Sequence, residues 1–209
     1  MPIKKSGKGE YKKEGEKRIG NRDFEDLILQ LKSPFPTERR WAARDLAEFP
    51  EASCYLLDCL KGEKDISVQE VIISSLIKIG DSIAVTGLID LLKSDDAYLR
   101  NAAIEVLKGS HEKILPHIEK LLHDCDPDIR IFAVNILESL RNPNVIRWLI
   151  EVLENDENVN VCSTALDLLA EVGTEEAISS IKKVKERFKD EQYIQFAADL
   201  ALGRIYDGG

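Results

Sequence analysis

Apolar and polar positions recur together, in altered form, about every thirty residues from Phe24 to Ile205. The clearest copy reads Leu88-Ile-Asp-Leu-Leu-Lys-Ser-Asp-Asp-Ala-Tyr-Leu-Arg-Asn-Ala-Ala-Ile-Glu-Val-Leu107, and the next runs from Ile118 through Asp126-Pro127-Asp128-Ile129-Arg130 to Leu137. Each copy predicts two helices. The first helices carry an i, i+3, i+4 stripe: Leu27/Gln30/Leu31, Leu56/Cys59/Leu60, Leu88/Leu91/Leu92, Ile118/Leu121/Leu122, Leu149/Val152/Leu153 and Ile181/Val184/Lys185. That spacing puts apolar side chains on one buried helical face. Short polar turns follow, such as Ser94-Asp95-Asp96 and Asp124-Cys125-Asp126. Asp126 before Pro127 predicts a helix start, because Asp caps free amides and Pro suits the first helical position. The loop carboxylates are therefore read as caps, not catalysts.

The second helices align on Arg39, Val68, Leu99, Ile129, Val161 and Ile194. Four residues later come Ala43, Ile72, Ala103, Ala133, Ala165 and Ala198, and eight later Ala47, Leu76, Leu107, Leu137, Leu169 and Leu202. Most of the +4 residues are small and let neighbouring helices approach. Gly80, Gly173 and Gly203 fall near repeat ends, where glycine can take the left-handed cap conformation. The first and last repeats are atypical, as capping a solenoid requires. The expectation is all-α: a right-handed α-solenoid, or α-α superhelix, of about six hairpins.

Asp-x-x-Leu/Ile-Arg followed by paired small residues and a Leu, as in Asp96–Leu107 and Asp126–Leu137, resembles the HEAT repeat. The short period and the Ile79-Gly80-Asp81 ending resemble the HEAT-like units of phycobilisome lyases. The resemblance covers roughly residues 24–205. It implies Asp–Arg pairs at Asp96/Arg100 and Asp126/Arg130, with Gln69, Cys162 and Gln195 replacing the arginine elsewhere. It also implies that the second helices line a concave groove.

Charge changes the picture at one end. Residues 1–22 hold eight Lys/Arg and three Glu, about +5; the whole chain is −9, so the remainder is about −14. This basic segment, lacking apolar periodicity, is expected to be a disordered tail ahead of a repeat domain over residues 23–209. No apolar run approaches membrane-spanning length, and Met1–Glu10 contains no secretory-type apolar stretch. A cytoplasmic location is expected. Cys54 and Cys59 lie five residues apart on one helix, a rise of roughly 7.5 Å with diverging faces, beyond an unstrained bridge. Four reduced, mostly buried thiols are expected.

Convergent chemistry is hard to find. His111, His117 and His123 sit six residues apart, which turns each about 120° from the last on a helix, so no metal is expected. Deoxyhypusine hydroxylases resemble this fold and bind iron through repeated His-Glu pairs; His111-Glu112 is one such pair, and one pair cannot build a paired site. HEAT-fold DNA glycosylases present a basic face to phosphate, whereas this body is acidic. Phosphate loops, nucleophile elbows and Cys-x-x-Cys are absent from the sequence. The expectation is a non-enzyme with no cofactor.

What remains is the surface. With the aligned residue of each second helix at zero, positions +2, +6 and +9 lie opposite the core, and the resemblance turns them into the groove. They include the acidic Asp45, Glu48, Glu70, Glu105, Glu138 and Asp167, the apolar Trp41, Ile77, Ile131, Phe196 and Leu200, and one lysine, Lys108. This ridge predicts a scaffold or adaptor that binds a basic or amphipathic segment of another protein. The alternative, implied by repeat type, is a bilin lyase or chromophore-handling protein. Nucleic acid is expected to meet only the basic tail. Trypsin should cleave within about the first twenty residues before any site in the body; equal protection of both would contradict the tail assignment.

Overall fold

The computed structural model describes residues 23–207. Among them are thirteen α-helices, short 3-10 turns and no strand. The basic segment 1–22 lies outside the described residues. The helices are α1 (Phe24–Gln30), α2 (Pro36–Leu46), α3 (Ser53–Gly62), α4 (Ile66–Ile79), α5 (Ser82–Asp90), α6 (Ala97–Lys108), α7 (His111–Ile114), α8 (Ile118–Leu122), α9 (Pro127–Leu137), α10 (Val145–Asn155), α11 (Val159–Val172), α12 (Ile178–Arg187) and α13 (Gln192–Asp207). The described residues fall into two compact units that meet in sequence between Ile79 and Gly80. The first unit contains the α1/α2 and α3/α4 hairpins, with α2 against α4. The second contains α5/α6, α7–α8/α9, α10/α11 and α12/α13, with α9, α11 and α13 packed in succession. Six hairpins among the described residues agree with the period of the sequence.

The core is the predicted stripe. Leu27, Leu31, Leu56, Leu60, Leu88, Leu92, Ile118, Leu122, Leu149, Leu153, Ile181 and Val184 are buried on the first helices. Ala103, Ala133, Ala165 and Ala198 are fully buried on the second. Each large residue contributes about 1.5–3 kcal/mol by leaving water. Trp148 is buried on α10 and donates its Nε1–H to Glu119 at 3.2 Å.

The turns are built alike. The side chains of Asp65, Asp96, Asp126 and Asn158 accept the backbone N–H two residues on, at 2.9 Å in each case. Two residues earlier, Ser33, Glu63, Ser94, Asp124 and Asp156 accept the N–H of the capping position from their own side chains, at 2.8–3.2 Å. The carbonyl of that earlier residue needs a donor, and the second helix supplies one from six residues downstream. Arg39 Nη1 reaches Ser33 O at 2.8 Å, Gln69 Nε2 reaches Glu63 O at 3.0 Å, and Arg100 Nη1 reaches Ser94 O at 2.6 Å. Arg130 Nη1 reaches Asp124 O at 2.9 Å, and the Cys162 thiol reaches Asp156 O at 3.3 Å. In the last hairpin Gln195 serves Lys185 O and Phe188 O.

This geometry corrects two sequence expectations. Asp96 and Asp126 do not form ion pairs with Arg100 and Arg130; they cap their own helices. Arg130 instead reaches into the next hairpin, where Nε and Nη2 clasp Asp156 at 2.6 and 2.9 Å. Arg39 clasps Glu63 in the same way, at 2.7 and 2.8 Å. The carboxylate in the loop after Arg100, Asp124, is held by Lys93 at 2.9 Å. The second correction is register. Arg39 does the work of Gln69, Arg100 and Arg130, so the residue aligned with Val68 and Leu99 is Glu38. The buried residues Ala42, Ala43 and Leu46 then match Ile72, Ile73 and Leu76.

Cys162 is too short to reach the next hairpin, and Arg187 at the end of α12 comes back to it. Arg187 Nη2 donates to Leu153 O at 2.9 Å and Asp156 O at 2.8 Å, and lies 3.4 Å from Cys162 Sγ; Nη1 donates to Glu154 O at 3.2 Å. Of the three glycines named above, only Gly80 takes a left-handed φ, at 61°. Gly173 is extended and tightly approached, since a Cβ there would sit 2.3 Å from Leu169 O. Gly203 lies inside α13.

The Arg39–Glu63 pair ties the two hairpins of the first unit. Arg39 chiefly, helped by the Asp65 and Lys64 amides, holds the Glu63 carboxyl below the usual carboxylate range despite burial. Because Glu63 titrates lower folded than unfolded, this stabilisation is fully present above about pH 4.3 and is lost as pH falls through the folded value. Arg39→Ala should cost about 3–5 kcal/mol near neutral pH by leaving a buried carboxylate without its counter-charge. Glu63→Gln should flatten the acid limb of stability. Denaturant melts across pH measure both.

Candidate functional site

The ridge residues occupy solvent-facing positions of the second helices, though not evenly. In the first unit Glu48 and Glu70 are exposed, while Trp41, Asp45 and Ile77 are half-buried. The corrected register puts Arg40 and Arg44 at +2 and +6 of α2, in place of Trp41 and Asp45. Glu48 is ion-paired with Lys78. This stretch is therefore much less acidic than the sequence suggests.

Glu105 and Glu138 are exposed and Ile131 is half-buried. Glu138 pairs with Lys108 at 2.8 Å. Between α9 and α11 lies a shallow cavity of about 180 Å³, lined among others by Asn135, Glu138, Thr164, Asp167 and Glu171. Next to it α13 presents Phe196 and Leu200, 63% and 39% exposed. Tyr193, 54% exposed, belongs with them. Its ring lies 6.4 Å from that of Phe196, and its hydroxyl donates to Asp167 Oδ1 and Oδ2 at 3.0 and 2.9 Å. Sequence reasoning missed Tyr193 because it precedes the reference residue Ile194 and so escapes a window opened at +2. Its spacing of three and seven from Phe196 and Leu200 is the signal that could have found it.

A larger cavity, about 360 Å³, opens beside the α8–α9 loop and α10, over the Arg130–Asp156 pair. His123, Trp148 and Glu151 line it; His123 lies 2.7 Å from Glu119 O and 3.1 Å from Glu151 Oε1. Among the described residues no group of three or more His, Cys, Asp or Glu side chains is placed to hold a metal ion. All four cysteines are free thiols, but only Cys162 is buried, while Cys54 and Cys125 are exposed; this corrects the mostly buried expectation. Burial, chiefly, pushes the Cys59 and Cys162 thiols up. No described helix is long and apolar enough to cross a membrane.

Residues 24–108 and 115–203 match the HEAT repeats. A bilin biosynthesis protein, PecE of Mastigocladus laminosus, is 30% identical over 151 residues, covering 70% of this chain. The chain spans little more than half of that relative, 56% of its length. An uncharacterized phycocyanin operon protein Z of Pseudanabaena tenuis (strain PCC 7409) is 23% identical over 87% of this chain and 95% of its own. The solved complex of CpcE and CpcF of phycocyanin lyase from Nostoc sp. PCC7120 covers 97% of this chain and 100% of that one, at 18% identity and a TM-score of 0.38, too loose a superposition to carry weight. The bilin biosynthesis relative overturns the expectation of a non-enzyme. That expectation rested on the lack of a ready-made triad or metal cluster. A repeat surface can orient reactants that bring their own chemistry, so scattered polar side chains were the wrong criterion.

The Tyr193–Asp167 contact is open to direct test. A phenol that donates to a carboxylate is held protonated, so Tyr193 titrates above the ordinary tyrosine range, with Asp167 as the leading cause. In an ultraviolet pH titration Asp167→Asn should make one late-ionising tyrosine ionise at lower pH. An unchanged titration would show that the contact does not form in solution.

Proposed function

This chain belongs to the HEAT repeat family, and from that premise we propose that it is a chromophore-handling protein of the bilin-lyase type, acting on a bilin together with a protein partner. The single observation behind this reading is the 30% identity to a bilin biosynthesis protein over 70% of the chain. The likeness to a phycocyanin operon protein across nearly the whole of both chains supports the same setting.

The chemistry asked of such a protein is positional. Joining a bilin to an apoprotein brings a nucleophile of one molecule to a reactive carbon of another. Holding both in register converts a bimolecular encounter into an effectively unimolecular step. A rigid stack of hairpins with continuous cores offers surfaces fixed relative to one another within each unit, which is what positioning requires. The partner is held through a basic or amphipathic segment, for which the ridge residues Glu105, Ile131, Glu138, Asp167, Phe196 and Leu200 supply carboxylates and apolar surface.

The test mixes the purified chain with a free bilin and an apo-phycobiliprotein and follows the absorption spectrum, then denatures the mixture to see whether colour remains on the apoprotein. The chain should change the bilin spectrum and raise the yield of denaturation-resistant colour above the chain-free control. Spectra and yields identical to that control would overturn the reading.

A further inference from the structure

We propose that Tyr193, Phe196 and Leu200 of α13, with the adjoining α9–α11 cavity, form a docking strip for an amphipathic helical segment that carries Lys or Arg beside its apolar face. This deepens the reading above by locating the partner surface, and it rests on that reading only for who the partner is.

The first observation is exposure in a pattern. Tyr193, Phe196 and Leu200 stand three and four residues apart on one helix, a spacing that lines up side chains on a single face. They are 54%, 63% and 39% exposed, although the same helix buries Ile194, Ala197, Ala198, Ala201 and Ile205 on its other side. α13 is thus apolar on two faces, and its own hairpin stack uses only one. Gly203 extends the strip by one turn; a Cβ there would meet nothing within 4 Å, so a partner's backbone can come close.

The second observation is charge. The cavity next to the strip is rimmed by Glu138, Asp167 and Glu171. Lys108 pairs with Glu138, but the hydrogen bonds to Asp167 come from a phenol, which holds that carboxylate in place without bringing an opposing charge. Glu171 is exposed. Lys185 and Arg204, the nearby cations on α12 and α13, are turned to other work: Lys185 to Asp199, and Arg204 to Ala170 O at 3.3 Å. Apolar anchors beside fixed negative charge suit a helix whose apolar residues cover Phe196 and Leu200 and whose basic residues meet the cavity. An acidic helix would meet repulsion, and a purely apolar one would leave the carboxylates desolvated and unpaired.

Binding can be read without any bilin. The probe is a fluorescein-labelled synthetic helix with leucines on one face and lysines flanking them, titrated into the full chain and followed by anisotropy. Binding should weaken about tenfold or more in Phe196→Asp. In Asp167→Lys it should weaken, and its salt dependence should shrink. The same peptide with glutamates for lysines should not bind. Both substitutions are at exposed positions, and circular dichroism checks that each variant keeps its helices. Equal binding by wild type and both variants, or by the glutamate peptide, would overturn the proposal. So would sedimentation showing that Phe196 mediates self-association and that the peptide does not compete with it. Because no chromophore enters this assay, the strip and the bilin reading can fail separately.

Discussion

One hydrogen bond organises every hairpin: a side-chain donor near the start of the second helix reaches back to a carbonyl at the close of the first. That carbonyl belongs to a residue which must leave one helix before the next has begun, so neither helix can satisfy it. Left unpaired in a partly buried turn it would cost about 1–3 kcal/mol. Arginine, glutamine and a cysteine thiol all meet the need, and the turn keeps its shape whichever is present. With the turn fixed, the two apolar stripes face each other and the alanines of the second helices let neighbouring hairpins close up.

Arginine does more than its substitutes. Its second and third nitrogens extend past the local carbonyl to a carboxylate one hairpin further on, as Arg39 does to Glu63 and Arg130 to Asp156. A guanidinium fork can serve carbonyl and carboxylate together because its donors diverge in one plane. Glutamine, with one amide group, is spent on the local bond. The ladder between hairpins is therefore intermittent, and Arg187 fills one missing rung from the opposite direction.

Most of the fold was legible because burial leaves a periodic trace: a stripe at i, i+3, i+4 has one physical explanation when it returns six times. Caps were legible for the same reason, as at Asp126. Register in the first repeat was not, because Glu38 stands where the other repeats place an apolar residue, and Arg39 next to it looked like an atypical core position. Ion-pair partners were not legible either, since Arg130 and Asp156 lie twenty-six residues apart and Asp126 is nearer in sequence. The site was half legible. Periodicity put Phe196, Leu200 and Asp167 among the candidates, while Tyr193 fell outside the window opened at +2, although its spacing from Phe196 and Leu200 could have marked it.

The segment from Glu154, in the last turn of α10, to Asn158 is tied from both sides. Arg130 grips the Asp156 side chain from the preceding hairpin, while Cys162 and Arg187 hold the Asp156 carbonyl from within and from the following one. Elsewhere in the second unit a hairpin can lose a neighbour and keep its own turn. Here, opening either side strips partners from the same peptide. Local unfolding in a repeat array ordinarily frays inward from the ends. Such a knot gives that fraying a place to stop, so amide protons around Asp156 should be among the slowest in the unit to exchange, and the hairpins on either side should open as one cooperative block.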